Sequence, residues 1–222
     1  MDKFMNVKSL AHSIFALFLL AFSSTSVQAH PHNWIDLKSR FILDDEGRLT
    51  QVKQRWEFDD YFSMMTLADI VTEHGSEEEG LPKMADQMIE NLSKYGYFSV
   101  LAFEGQKLTL NKPQEYQLIA HKKDGQPILE LQMLFDVEDS FPIRNKTISW
   151  QVYDPTYFIA MNHTKDDSIE FIGGKATKCA SDIKQPEPSD DLTAYALSLD
   201  RTQKETDGLG EKFAETVFIH CS

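Results

Sequence analysis

The residues best suited to chemistry stand at positions 30–36, H-P-H-N-W-I-D, and their interest comes from what precedes them. Residues 1–29 read as a secretory leader. Lys3 and Lys8 make a weakly basic start, residues 14–22 (IFALFLLAF) form the apolar run, and Val27-Gln28-Ala29 offers small residues at −3 and −1 of a cleavage site. The apolar run is too short to span a bilayer. Cleavage after Ala29 makes His30 the first residue. A first-position histidine can close a chelate ring on a metal through its α-amine and ring Nδ1, and the amine titrates near pH ~8, where a metal can displace its proton. His32 adds a second imidazole. Pro31 has no N–H to deprotonate, so the square-planar mode that runs through backbone amides is blocked. An amine and two imidazoles suit zinc, nickel, cobalt or copper rather than calcium or magnesium. The plainer reading is a pair of histidines on a solvated chain end.

The elements around these residues decide whether that end is held. Ile35, Leu37, Phe41 and Leu43 alternate with Trp34, Asp36, Lys38 and Arg40, and Val52, Trp56 and Phe58 alternate with Lys53, Arg55 and Glu57. With turn chemistry at residues 44–47 between them, this predicts a hairpin that ties the histidines to a sheet. Asp60 is the expected cap of a helix over 61–73, with Leu67, Ile70 and Val71 inward and Gly75 at its end. The acidic stretch 76–80, with Glu77-Glu78-Glu79, reads as a solvated charge run. A second helix follows from Pro82, with Leu81, Ala85, Met88 and Leu92 on one stripe. Strands are expected over 98–103, 107–110, 115–121, 128–137 and 146–153, then 168–172 and finally 217–221. Asp154, before Pro155, is either a ligand or a turn cap. The expected fold is one α+β domain over 30–222: a mainly antiparallel β-sheet, a helix pair inserted after the first hairpin, and a linker and disulfide-pinned tail over 182–222.

Composition narrows the function. The formal charge of −13 becomes one unit more negative once Asp2, Lys3 and Lys8 are removed, which argues against nucleic acid and anionic membrane surfaces as partners. Export places the two cysteines, Cys179 and Cys221, in an oxidising compartment, so a disulfide is expected, stabilising by about 4 kcal/mol in the chain-entropy model. A Gly-x-Ser-x-Gly nucleophile motif is absent from the sequence.

With these residues in view, the chain resembles the DUF1007 family, described as the periplasmic component of an uncharacterised ABC-type transport system. The resemblance rests on A-H-P-H-N-W-I-D at 29–36, D-D-E-G-R at 44–48, W-E-F-D-D-Y-F-S at 56–63, E-N-L-S-K-Y-G-Y-F at 90–98, V-Y-D-P-T-Y-F at 152–158 and K-C-A at 178–180 with the terminal cysteine. It implies periplasmic metal handling beside a nickel/cobalt-type or zinc-type membrane permease, with no enzymatic turnover. Carried over by position, it implicates His30 and His32 first, then Asp36, Asp59 and Asp154 as oxygen ligands. Many relatives carry an EF-hand-like loop where this chain has residues 73–80, so a calcium role does not transfer. Two other readings stand beside metal handling. One is a permease-associated assembly protein with incidental histidines. The other is a copper oxidoreductase built on the N-terminal histidine, for which His121, His163 and His220 supply no motif.

Overall fold

The first hairpin forms where the alternation places it. Strands β1 (Asn33–Leu43) and β2 (Arg48–Phe58) pair antiparallel, and Asp44 closes their turn by accepting the N–H groups of Glu46 and Arg48. The structure, a computed structural model, describes residues 31–174, 176–199 and 208–222. The expected leader and His30 lie outside the described residues.

Two sheets, rather than one, are built on this hairpin. In the first, β2 continues antiparallel onto β6 (Gln126–Pro142), and β6 onto β5 (Glu115–Lys123). The other edge of β1 takes up two short parallel strands, β8 (Ile159–Asn162) along its first half and β9 (Ile169–Gly173) along its second. The second sheet runs in the order β10 (Cys179–Lys184), β11 (Thr216–Cys221), β7 (Ile148–Val152), β3 (Ser99–Phe103) and β4 (Gln106–Leu108), all antiparallel. The α+β class therefore holds; among the described strands parallel pairing is confined to the β1 edge, and one isolated parallel bridge joins Arg144 to Cys221. Strand β8, at four residues, is too short to have shown a period in the sequence, and β10 (CASDIK) carries no apolar alternation strong enough to mark it.

Helices α1 (Asp60–His74) and α2 (Glu77–Ser93) follow the hairpin as expected and pack against β6 and β5. Three local expectations change. The cap of α1 is Asp59, whose carboxylate accepts the Phe62 N–H, so Asp60 opens the helix instead. Val71 faces solvent; the inward stripe is Ser63, Leu67 and Ile70. The acidic run is solvated as expected but lies within the second helix instead of before it: Ser76 caps α2 and the exposed Glu77, Glu78 and Glu79 form its first turn, where the helix dipole favours negative charge. Gly75 ends α1 at φ 84°, a left-handed conformation that glycine adopts without steric cost.

The segment read as a tail enters the second sheet. After α3 (Asp190–Ser198) and the short α4 (Leu209–Phe213), β11 inserts between β10 and β7 and buries Val217 and Ile219. The Cys179–Cys221 disulfide joins facing residues of β10 and β11, as expected. One continuous core links the two sheets and helices α1 and α2, while Ala196, Leu199 and Leu209 form a small separate cluster at α3 and α4. Leu129, Leu131, Met133 and Phe135 of β6 share the continuous core with Ile70 and Ile89 of the helices, and Phe41 meets Trp150 of the second sheet edge-on at 6.1 Å. The opposite face of the first sheet is polar and lined with ion pairs.

Candidate functional site

The N-terminal end of β1 is held from both sides. Phe158 O accepts the His32 N–H at 2.9 Å, and the His32 ring tilts against the Phe158 ring at 4.8 Å. One residue into the strand, the Trp34 N–H donates to Asp59 Oδ2 at 3.0 Å, while Trp34 O accepts the Asp59 N–H. Asp59 thus locks β1 to α1 with one oxygen and caps the helix with the other.

Beside this lock opens a cleft of about 450 Å³, lined by Trp34, Asp36, Glu57, Phe58, Asp59, Asp60, Tyr61, Lys123 and Ile128. Asp36 and Glu57 are cross-strand partners on the polar face, an arrangement of like charges that needs compensation. Two lysines supply it: Glu57 accepts from Lys123 at 2.6 Å and Lys165 at 3.4 Å. Burial alone would raise the Glu57 carboxyl, but the Lys123 hydrogen bond and the Lys165 charge outweigh it and hold that carboxyl below the ordinary range. The same hydrogen bond, helped by the charge of Asp36, pushes the Lys123 ammonium up. The cleft gathers the carboxylates of Asp36, Glu57, Asp59 and Asp60, whose charge these lysines partly neutralise.

The expected ligands do not converge. Asp154 is buried and its carboxylate accepts the N–H groups of Thr156, Phe158 and Ile159 and the Thr156 hydroxyl, the turn-cap alternative. Asp59 is engaged as described, and Asp36 faces the cleft. Among the described residues, no group of three or more His, Cys, Asp or Glu side chains is arranged to hold a metal ion. A site at this end would have to be completed by His30.

Elsewhere the structure brings together residues that sequence reasoning left apart. Between β8 and β9 the chain leaves the β1 edge, and His163 drops into the core opposite Ser39. Ser39, His163 and Glu215 are all buried. His163 Nε2 lies 2.7 Å from Ser39 Oγ, its Nδ1 makes a short hydrogen bond to Glu215 Oε1, and its backbone N–H donates to the same oxygen at 2.7 Å. Gln185 reaches the other Glu215 oxygen at 3.3 Å. The proton positions follow from donors that cannot accept. The Trp56 indole N–H donates to Gln54 Oε1, which turns Gln54 Nε2 toward Ser39 at 2.6 Å; the Trp150 indole also donates to Ser39 Oγ at 3.1 Å. Ser39 Oγ is then an acceptor twice over, so its single O–H points at His163 Nε2, and the ring proton sits on Nδ1 facing Glu215.

This order, serine to histidine to glutamate, is the geometry of an acyl-transfer triad. It cannot serve as one here, because all three residues are buried and the Ser39 oxygen is saturated by two indole- and amide-borne donors. Burial raises the Glu215 carboxyl, but the hydrogen bonds from the His163 ring and backbone N–H and from the Gln185 amide overcome this and hold it below the ordinary range. The network ties the two sheets together. Its sequence signal was present: Ser39 and Gln54, directly paired across β1 and β2, are polar residues at inward positions of otherwise apolar rows.

The comparisons with known proteins agree with one another. The family described as "Protein of unknown function (DUF1007)" matches residues 15–221. An uncharacterized protein of Haemophilus influenzae is similar at 30% identity over 213 residues, which cover 93% of this chain and 98% of that protein.

Proposed function

The chain belongs to the DUF1007 family, and we propose that it acts outside the cytoplasm, in the periplasm, as a non-enzymatic binding component that handles a transition-metal ion for a membrane permease. Zinc, nickel or cobalt fit the nitrogen donors, and copper fits them also. The observation that supports this reading is the anchoring of the N-terminal end. The His32 and Trp34 backbone groups are pinned to Phe158 and Asp59 beside the Asp36–Glu57 cleft, so a metal bound through the His30 amine and ring would meet a pre-positioned imidazole and a cation-attracting wall. The disulfide fits an oxidising compartment. Among the described residues no helix is long and apolar enough to cross a membrane. The test is titration of zinc, nickel and copper into protein exported and processed by a bacterial host, followed by the same titration of His30→Ala and His32→Ala. Tight binding lost in the first and weakened in the second supports the reading; unchanged affinity in both removes it.

A second reading has its own support: Asp59 and Asp154 spend their carboxylates on backbone N–H groups. On that reading the chain is an assembly partner of the permease, and its histidines are incidental.

A further inference from the structure

Helix α1 has two opposite faces of unequal fate. Ser63, Leu67 and Ile70 are buried, whereas Tyr61, Met64, Met65 and Val71 are 68, 51, 45 and 44% exposed. At 3.6 residues per turn the exposed four, with Ala68 among them, fall within an arc of about 120°. Asp60 borders this arc on one side and Asp69 and Glu73 on the other; the helix has no lysine or arginine. At its start the apolar stripe runs into the cleft, where Trp34 stands 55% exposed beside Asp36 and Glu57. Large apolar side chains gathered on one face and rimmed by a single sign of charge mark an interaction surface.

The charge selects the occupant. A second copy would set acid against acid around a shared apolar stripe, and an anionic bilayer would be repelled by the same rim. We propose that this face of α1 is a docking surface for a basic amphipathic helical segment of a partner protein, its apolar side on Tyr61, Met65 and Val71 and its cations on Asp60, Asp69 and Glu73. Methionine suits such a surface, because its unbranched side chain adapts to the shape of the partner. The proposal is independent of metal uptake at the N-terminal end.

Trp34 supplies the readout. Trp56 and Trp150, the other two tryptophans, are buried at 2 and 0% exposure, so a shift of the emission toward the blue on binding reports Trp34. The probe is a Leu/Lys amphipathic helical peptide titrated onto the exported protein in the presence of a chelator, against a Leu/Glu peptide of the same pattern. Saturable one-to-one binding with a blue shift is expected, weakened roughly tenfold by raised salt as screening shortens the reach of the rim charges. It should be lost in Met65→Glu and in Val71→Glu, exposed positions that leave the fold intact by circular dichroism. Equal binding of the Leu/Glu peptide, absence of binding, or binding that survives both substitutions would overturn the proposal. So would sedimentation showing that the protein dimerises through this face, or preferential binding to phosphatidylglycerol vesicles.

Discussion

Two regions of this molecule gather histidine with oxygen-bearing side chains, and they have opposite deficits. The Ser39–His163–Glu215 chain has closed geometry and no access: each group is buried, and its hydrogen-bonding capacity is directed at other protein groups. The N-terminal end of β1 has an open cleft and no closed geometry within the described residues: Asp36 and Asp59 line the cleft, the His32 Nε2 is buried beside it, and three ligands do not meet. The difference teaches that a constellation of residue types is not a site. Burial converts the first into a structural tie between sheets, where a missing partner would be costly. Exposure leaves the second to be completed by something from outside, whether an ion or a partner.

The largest expected effect tests the buried side of the comparison. Glu215→Ala removes the acceptor of the His163 ring, the His163 backbone N–H and the Gln185 amide. It should cost about 3–5 kcal/mol in urea unfolding, because buried donors left without an acceptor cost about 1–3 kcal/mol each. Metal affinity of the folded fraction should not change. A loss below about 1 kcal/mol would mean the network is not the tie described.

The disulfide comes next. Cys179 and Cys221 close the far end of the β10–β11 ladder, whose near end sets Gln185 and Glu215 in place. Replacing both by serine should cost about 2–4 kcal/mol, measured by the same unfolding transition. A change within error would show that strand pairing alone fixes this edge.

A pH series sharpens the comparison further. Glu215 has a folded-state carboxyl below the ordinary range, and so does Glu130, which is buried but held ionised by Arg55 and Gln132. A depressed carboxyl contributes stability that is fully present above the unfolded value, about 4.3, and is lost as pH falls through the folded value. Unfolding midpoints should therefore drop on acidification below that point, and Glu215→Gln should flatten the drop. An acid limb identical in wild type and variant would remove Glu215 from the account.

How far the sequence reached differs between the same two regions. The hairpin, the helix pair and the disulfide were legible because long alternation, helical stripes and two cysteines behind an expected secretory leader are signals readable from the sequence. The second sheet was not, because its assembly depends on β11 returning from the chain end to meet β7, and no local pattern encodes a pairing at that separation. Asp154 was legible from the proline after it only as one of two things, a ligand or a turn cap, and its hydrogen bonds to the following turn are those of the cap. His163 was not legible as a core residue, since only the fold brings it opposite Ser39. The polar interruptions at Ser39 and Gln54 were visible in the rows they break, and a cross-strand reading of them would have located the buried network.

The central claim concerns the accessible end, and one measurement reaches it most directly. Zinc, nickel and copper are titrated in parallel into the processed protein that begins at His30 and into a version with one residue added before it. The extension keeps both imidazoles and removes only the α-amine adjoining His30. The account predicts tight single-site binding for the processed protein, weakening as pH falls and the amine and imidazoles take up protons, and at least roughly tenfold weaker binding for the extension, about 1.4 kcal/mol. Equal affinities for the two proteins would contradict it, and would leave the partner surface on α1 as the working end of the molecule.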